Sequence, residues 1–217
     1  KSSGLPLARI AANITIGIPL AKQTIPVRTS GNVCVKAPVF PFIKLRGLDP
    51  APGPEMKSTG EVFGSHQDAD IAYLKARLAT EVPVASVGGV YLTVRDDDKA
   101  NLVPIAQQLT ELGFTLYATS GTADVLRANS VPVEIVYRIR ERMHPDALDL
   151  MRQGKISFIV NVPTISGGAV RDGNMMRRLA VELNIPFVTT IRGVKMEVAA
   201  IGAMMKGEME PVRLQVN

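Results

Sequence analysis

The stretch that decides the fold begins with Val90-Tyr91-Leu92-Thr93-Val94 and continues through Asp96-Asp97-Asp98 into residues 99–112. Its first five residues are apolar, aromatic or β-branched, which is typical of a buried strand. Apolar side chains then recur up to Leu112 with the spacing of one face of an amphipathic helix. Gly113 suits the position just beyond a helix end, where a left-handed backbone is common. The stretch therefore predicts one strand followed by one helix.

The same order of strand and helix recurs to the end of the chain. The predicted strands cover residues 114–118, 133–136, 156–160 and 187–189, and the predicted helices cover residues 122–128, 145–153, 172–183 and 194–206, with Asp172 as an N-cap. Strands that are joined by helices run parallel, and right-handed crossovers fold them into a doubly wound layer. We therefore expect residues 89–217 to form an α/β domain around a five-stranded parallel sheet.

Residues 1–88 have a different character. They carry 10 Lys+Arg against 6 Asp+Glu and are rich in proline, which suits irregular chain and edge strands. They also lack an alternation of strands and helices long enough to bury a core. We therefore interpret this segment as an α+β part of something larger and place a domain boundary at Gly88-Gly89.

Composition excludes several classes of protein. The 217 residues are 46% hydrophobic with a net charge of +5, so the chain is globular rather than disordered, collagenous or held together by disulfides. One cysteine, Cys34, cannot form an internal bridge, which favours a cytoplasmic location. Neither a signal peptide nor an apolar run long enough to span a bilayer is visible, and we expect no membrane partner. The basic charge lacks interleaved aromatic residues, so we expect no nucleic-acid partner.

Candidate binding residues follow the carboxyl ends of the predicted strands, where ligands of open parallel sheets bind. They are Lys99 after the first strand, Thr119, Ser120, Gly121 and Thr122 after the second, Arg138 after the third, Asn161 and Thr164 after the fourth, and Thr190 after the fifth. The Thr119–Thr122 turn leads into a helix N-terminus, whose free amides and dipole suit a phosphate group. Taken one by one, these residues also fit ordinary helix caps and exposed charges, but their convergence on one sheet edge favours an anion site.

Other reactive side chains give weaker hypotheses. His66 and His144 have neither the spacing of a metal pair nor that of a base beside a nucleophile, so we expect surface histidines. Cys34 has no neighbours in sequence that would activate it, and we expect a small buried hydrophobic residue. We predict neither a catalytic residue nor a metal site.

The N-terminal segment also carries longer motifs. They are Gly4-Leu5-Pro6-Leu7-Ala8-Arg9-Ile10-Ala11-Ala12, Val39-Phe40-Pro41-Phe42, Gly47-Leu48-Asp49-Pro50 and Gly53-Pro54-Glu55-Met56-Lys57-Ser58-Thr59-Gly60-Glu61-Val62-Phe63-Gly64. This set closely resembles the end of the second ATP-grasp domain in large subunits of the carbamoyl-phosphate synthetase family. Residues 89–217 resemble the methylglyoxal-synthase-like regulatory domain that follows it. The two resemblances cover nearly the whole chain in the order of the family.

The resemblance implies a glutamine-hydrolysing ligase that makes carbamoyl phosphate from bicarbonate, ammonia and two ATP for pyrimidine and arginine synthesis. ATP and Mg²⁺ or Mn²⁺ would be its cofactors, and the rest of the large subunit and the glutaminase small subunit its partners. In this family the metal ligands and the phosphate-binding cations lie upstream of these residues. We therefore expect residues 1–88 to be a structural remnant of the ATP-grasp domain, and the chain alone to be inactive and to bind no cofactor.

The resemblance also implies an effector pocket. Lys99, Thr119, Thr122 and Asn161 match pocket positions of uridylate-responsive members, and Arg138 stands where those have lysine. Residues 161–166 lie nearer in character to the loop of members activated by N-acetylglutamate, so the effector stays open. UMP is our first choice because a threonine-rich turn with nearby cations suits a dianionic phosphate; IMP, ornithine and N-acetylglutamate are the others.

An enzymatic alternative is a stand-alone methylglyoxal synthase acting on dihydroxyacetone phosphate. That reaction needs a carboxylate base beside the bound triose phosphate. The chain has Asn161 where the synthase would have an aspartate, and an amide cannot take a proton from carbon. An allosteric binding domain is therefore the leading hypothesis, with Gly88-Gly89 as the point of transmission.

Overall fold

The computed structural model describes residues 5–25, 31–39, 60–80, 82–163 and 168–207. Its helices and strands follow in the order α1 (Leu7–Thr15), β1 (Val33–Val39), β2 (Gly60–His66), α2 (Ala69–Leu78), β3 (Gly89–Thr93), α3 (Lys99–Glu111), β4 (Thr115–Ala118), α4 (Ser120–Ala128), β5 (Glu134–Ile135), α5 (Ala147–Arg152), β6 (Ile156–Asn161), α6 (Gly168–Glu182), β7 (Phe187–Val188) and α7 (Ile191–Met205). Short 3₁₀ turns cover Leu20–Lys22, Asp96–Asp98 and Ile139–Glu141.

A five-stranded sheet forms the centre of the C-terminal part. Its strands lie in the order β5-β4-β3-β6-β7, and every neighbouring pair is parallel. Helices α3, α4 and α7 pack on one face, where Leu92 and Phe158 join their apolar side chains. Helices α5 and α6 cover the other face around Tyr91 and Ile159. The predicted doubly wound α/β fold with five parallel strands is confirmed.

The predicted boundaries differ most at the last two helices. Helix α6 begins at Gly168, so Asp172 lies inside it and the prediction that Asp172 is the N-cap is wrong. Aspartate is a residue type that N-cap positions favour, which explains the error, but Asp172 lies beyond the first turn of α6. Helix α7 begins at Ile191 rather than Val194 because Thr190 caps it, accepting a hydrogen bond from the Gly193 amide at 3.1 Å. Gly113 has φ +87, as its predicted position after a helix requires.

The N-terminal part forms a smaller layer beside the sheet. Strands β1 and β2 pair antiparallel, and α2 packs across both. The helix comes very close to β2 at Gly64, where a Cβ would lie 2.1 Å from the Ala72 carbonyl oxygen. Cys34 in β1 is half-buried, with Sγ 3.8 Å from the Ser65 hydroxyl, so the prediction of a buried hydrophobic residue is wrong. The motif residues between positions 40 and 59 lie outside the described residues.

Helix α2 also connects the two parts of the chain. It packs against α7 through Leu74, Ala200 and Ala203. The Arg77 guanidinium donates two hydrogen bonds to the Glu197 carboxylate, at 2.8 and 3.0 Å, and the Tyr73 hydroxyl donates a third at 2.8 Å. Glu197 is only 1% exposed, so this network lies inside the protein. No helix among the described residues combines the length and the apolar character needed to cross a membrane.

Candidate anion-binding site

A pocket of about 260 Å³ opens at the carboxyl ends of β3, β4 and β6. Six of the nine predicted binding residues line it: Lys99, Thr119, Gly121, Thr122, Arg138 and Asn161. Ser120 is exposed on the first turn of α4 and does not line the pocket. Thr190 is engaged in capping α7, away from the pocket lining. Thr164 lies outside the described residues.

The N-terminus of α4 supplies the hydrogen-bond donors of the pocket. Thr119 occupies the N-cap position, yet its side chain makes no capping hydrogen bond. Thr122 is 3% exposed, and across the described part of the chain its hydroxyl has no hydrogen-bond partner. Buried hydroxyls without a partner are uncommon because they have lost their hydration. These two side chains therefore do not behave as ordinary helix caps, and they are available to a ligand.

Two cations flank the same helix end. A Cβ built on Gly121 would lie 3.3 Å from the Lys99 ammonium and 3.7 Å from an Arg138 guanidinium nitrogen. The absence of a side chain at Gly121 therefore leaves room for a group that contacts both. Helix amides, hydroxyls and two positive charges at one point form an arrangement that binds a phosphate or carboxylate.

Carboxylates also reach the pocket. The Lys99 ammonium lies 2.6 Å from Oδ1 of Asp96. The hydrogen bond that it donates lowers the pKa of the Asp96 carboxyl. Asp172 of α6 is half-buried, and burial raises its pKa against the opposing effect of Arg140 and other arginines. Burial, and then the charge of Asp172, raise the pKa of the Tyr91 phenol, which stays protonated. The lining is thus mixed in charge, and two of its cations, Lys99 and Arg138, lie at the N-terminus of α4.

Sequence reasoning missed Asp172, Gly173 and Arg177 as neighbours of the pocket. Asp172 and Gly173 line the pocket, and Arg177 donates a hydrogen bond to Asn161, which also lines it. All three lie in the first three turns of α6. The signal that could have found them is the start of this helix. Had we predicted it at Gly168, we would have assigned all three residues to the helix turns nearest the sheet edge where the pocket lies.

A second polar cluster lies before α5, outside the pocket lining. The ring nitrogen Nδ1 of His144 is 2.5 Å from Oδ2 of Asp149, and Asp146 completes a group whose ligand atoms lie within 4.8 Å of one another. Asp146 and Asp149 already bond each other's backbone amides as the capping box of α5. Their arrangement is therefore accounted for by the helix N-terminus.

Comparison with known proteins adds to this geometry. The MGS-like domain family matches residues 101–189. The "Carbamoyl phosphate synthase large chain, C-terminal section" of Methanocaldococcus jannaschii is 44% identical over 96% of this chain, and that of Methanopyrus kandleri is 42% identical over 93%. The "Carbamoyl phosphate synthase large chain" of Methanoculleus marisnigri is 39% identical over 96%. The chain spans 35%, 38% and 20% of these three relatives, respectively.

Proposed function

Because this chain belongs with the C-terminal sections of carbamoyl phosphate synthase large chains and contains an MGS-like domain, we propose that its pocket binds the allosteric effector of such a synthase. The observation that carries the proposal is the convergence of Lys99, Arg138 and the Thr122 hydroxyl, which has no hydrogen-bond partner among the described residues, on the N-terminus of α4. These groups can neutralise and hydrogen-bond one compact anion.

The ligand we favour is a nucleoside monophosphate, with UMP as the first choice. A dianionic phosphate has enough oxygen atoms to engage the α4 amides, the hydroxyls and both cations together, whereas a single carboxylate has two. IMP, ornithine and N-acetylglutamate are the alternative effectors. A methylglyoxal synthase is not favoured, because the relatives named above are large chains of carbamoyl phosphate synthase. In addition, the Asn161 carboxamide cannot act as the base that the methylglyoxal synthase reaction needs.

The parent activity is part of the same proposal. The whole protein would make carbamoyl phosphate from bicarbonate, glutamine-derived ammonia and two ATP, with Mg²⁺ or Mn²⁺, in the cytoplasm, together with the rest of the large chain and a glutaminase subunit. Residues 1–88 would be the end of its ATP-grasp domain, and residues 89–217 its regulatory domain. An effector that binds one of two states more tightly shifts the synthase toward that state.

A polypeptide of these 217 residues should not turn over ATP by itself. The resemblance puts the metal ligands and the phosphate-binding cations of the ATP-grasp domain elsewhere in the large chain. The measurement is magnesium-dependent ATP hydrolysis by the purified chain. Turnover above that of a heat-treated sample would contradict this expectation.

The effector proposal is tested by thermal unfolding with UMP, UTP, IMP, ornithine and N-acetylglutamate. A ligand that binds only the native state raises the unfolding midpoint by mass action, and we expect UMP to do so. Thr122→Val should abolish that shift without lowering the midpoint of the free protein, because the lost hydroxyl has no partner in the described part of the chain. Thr115→Val, at an exposed position on β4, is the matched control and should keep the shift.

The outcomes distinguish a wrong choice of ligand from a wrong choice of site. A shift with another compound and none with UMP would keep the site but replace the ligand. No shift with any of the five compounds, or an undiminished shift in Thr122→Val, would contradict the proposed site.

A further inference from the structure

Asn161, which lines the pocket, contacts a second buried polar side chain, Arg177. Arg177 of α6 is 2% exposed, and Asn161 at the end of β6 is 5% exposed. One guanidinium nitrogen of Arg177 donates a hydrogen bond to Oδ1 of Asn161, and the other donates to Oδ1 of Asn174. Two carboxamide oxygens therefore face one buried cation.

The chemistry of arginine fixes the orientation of the Asn161 carboxamide. A guanidinium group has only donors, so the carboxamide atom that faces it is the oxygen. The NH₂ group of Asn161 then lies on the opposite side, in a residue that lines the pocket. No residue that the structure describes accepts a hydrogen bond from this NH₂ group. A donor this buried needs a partner, and a ligand oxygen in the pocket would supply one.

We infer that Arg177 is a positioning residue: by holding Oδ1 of Asn161, it presents the Asn161 NH₂ group as a fixed donor to an anionic oxygen of the ligand. The inference rests on the proposed function, since it concerns the ligand of the same pocket. A carboxamide turned the other way would present its oxygen and repel the anion. Arg177 thus makes the pocket select acceptors, and its own positive charge attracts the same anion.

Gly173 leaves the space that this contact occupies. A Cβ at Gly173 would lie 2.9 Å from Nη1 of Arg177 and 3.3 Å from Oδ1 of Asn161. The flexible guanidinium end would have to move, whereas the backbone of α6 would not. Gly173→Ala therefore disturbs the Arg177–Asn161 contact while both polar groups remain in the protein.

The first test compares Arg177→Met with Arg177→Lys by titration calorimetry with UMP and with inorganic phosphate. Methionine has no donor, so the Asn161 carboxamide can turn, and we expect affinity to fall about tenfold or more, the worth of one hydrogen bond to a charged group. Lysine keeps a donor and should recover part of the loss. The nitrogen-15 resonance of the Asn161 side-chain amide should move on ligand addition in the wild type and not in Arg177→Met.

The second test uses two glycines within helices. Gly173→Ala should weaken binding of both probes by about fivefold or more, since a misplaced hydrogen bond loses most of its worth. Gly202→Ala in α7 is the control, because among the described residues its Cβ would meet only Leu112 Cδ2, at 4.0 Å. The control should bind as the wild type does.

Failure of this inference can be distinguished from failure of the proposed function. If the wild type binds neither of these probes nor UTP, IMP, ornithine or N-acetylglutamate, both are wrong; if only one of those four compounds binds, the same variants are compared with that compound. If the wild type binds but its Asn161 amide resonance does not move, or Arg177→Met binds equally well, only the positioning role is overturned. Should Arg177→Met fail to fold, unchanged affinity in a folded Gly173→Ala protein would overturn that role in the same way.

Discussion

His144 is a single residue whose charge is tied to the start of a helix. Its ring contacts the Asp149 carboxylate, and this hydrogen bond raises the pKa of His144 above its ordinary value. The Asp146 amide and then His144 lower the pKa of Asp149. Both shifts mean that the charged pair is favoured in the folded protein, at the N-terminus of α5.

His144→Gln should therefore destabilise the protein in a manner that depends on pH. The contribution of His144 is fully present below its unfolded pKa of about 6.5 and is lost as pH rises through the higher folded pKa. The difference in unfolding midpoint between wild type and His144→Gln should be largest near pH 6, about the lower edge of this window, and should shrink toward alkaline pH. In an Asp149→Asn background the pH dependence of that difference should disappear. A difference that grows toward alkaline pH would show that the pair has the opposite effect.

At the same scale, residue type and position predicted the outline of the pocket. Lys99 and Thr122 lie in the first turns of the helices that follow β3 and β4, and Asn161 is the last residue of β6, so the rule that ligands bind at the carboxyl ends of strands was enough to group them. Arg177 could not be predicted in this way, because a charged residue in an amphipathic helix is normally exposed. Asn174 lies one helix turn before it, but its second partner, the Asn161 carboxamide, is brought near only in the folded chain.

Among the elements, α2 and β2 show how one glycine permits a close contact. A Cβ at Gly64 would lie 2.1 Å from the Ala72 carbonyl oxygen and 2.6 Å from the Ala76 amide nitrogen. Both atoms belong to the backbone of α2, so no side chain can turn aside. The helix would have to move away from the β1–β2 pair, together with the buried Leu74 that packs toward α7.

Gly64→Ala should therefore lower the free energy of unfolding by about 1–3 kcal/mol, as forced overpacking does. The measurement is urea denaturation followed by circular dichroism. Gly31→Ala is the control, since a Cβ there would have no atom of the described residues within 4 Å, and it should change the free energy by less than about 0.5 kcal/mol. Equal values for the two variants would show that α2 does not need this contact.

Elements with strong periodicity were predicted best. The apolar spacing of α3 predicted this helix correctly. The strand predicted at residues 133–136 is shorter in the structure, Glu134–Ile135, because it lies at the sheet edge and pairs on one side only. Helix starts were less certain, since several polar residues near 168–172 and 190–194 could each begin a helix. In the structure α6 begins at Gly168 and α7 at Ile191.

At the scale of the whole molecule, the contact between α2 and α7 joins the segments before and after the predicted boundary at Gly88-Gly89. Arg77 and Glu197 lie 120 residues apart in the sequence, and each one alone resembles an ordinary surface charge. Sequence analysis therefore could not predict that the two side chains pair. In the folded protein Glu197 is 1% exposed and accepts hydrogen bonds from Arg77 and Tyr73. Burial, and then Glu197, raise the pKa of the Tyr73 phenol, which therefore remains a donor. Within the described part of the chain, this network forms a buried polar link between α2 and α7.

Glu197→Gln should break that link and uncouple the two parts. The Arg77 guanidinium, whose side chain is 14% exposed, is then left without its countercharge, and we expect a loss of up to about 3–5 kcal/mol, the range for fully buried pairs. Glu61→Gln is the control, because Glu61 pairs with Lys36 at 2.6 Å on the exposed surface and should cost less than about 1 kcal/mol. Hydrogen exchange measured by mass spectrometry should show α2 opening before β3 in Glu197→Gln, while the two are protected together in the wild type. If Glu197→Gln lost no more stability than Glu61→Gln, the network would not be what joins the segment before residue 88 to the sheet that carries the pocket.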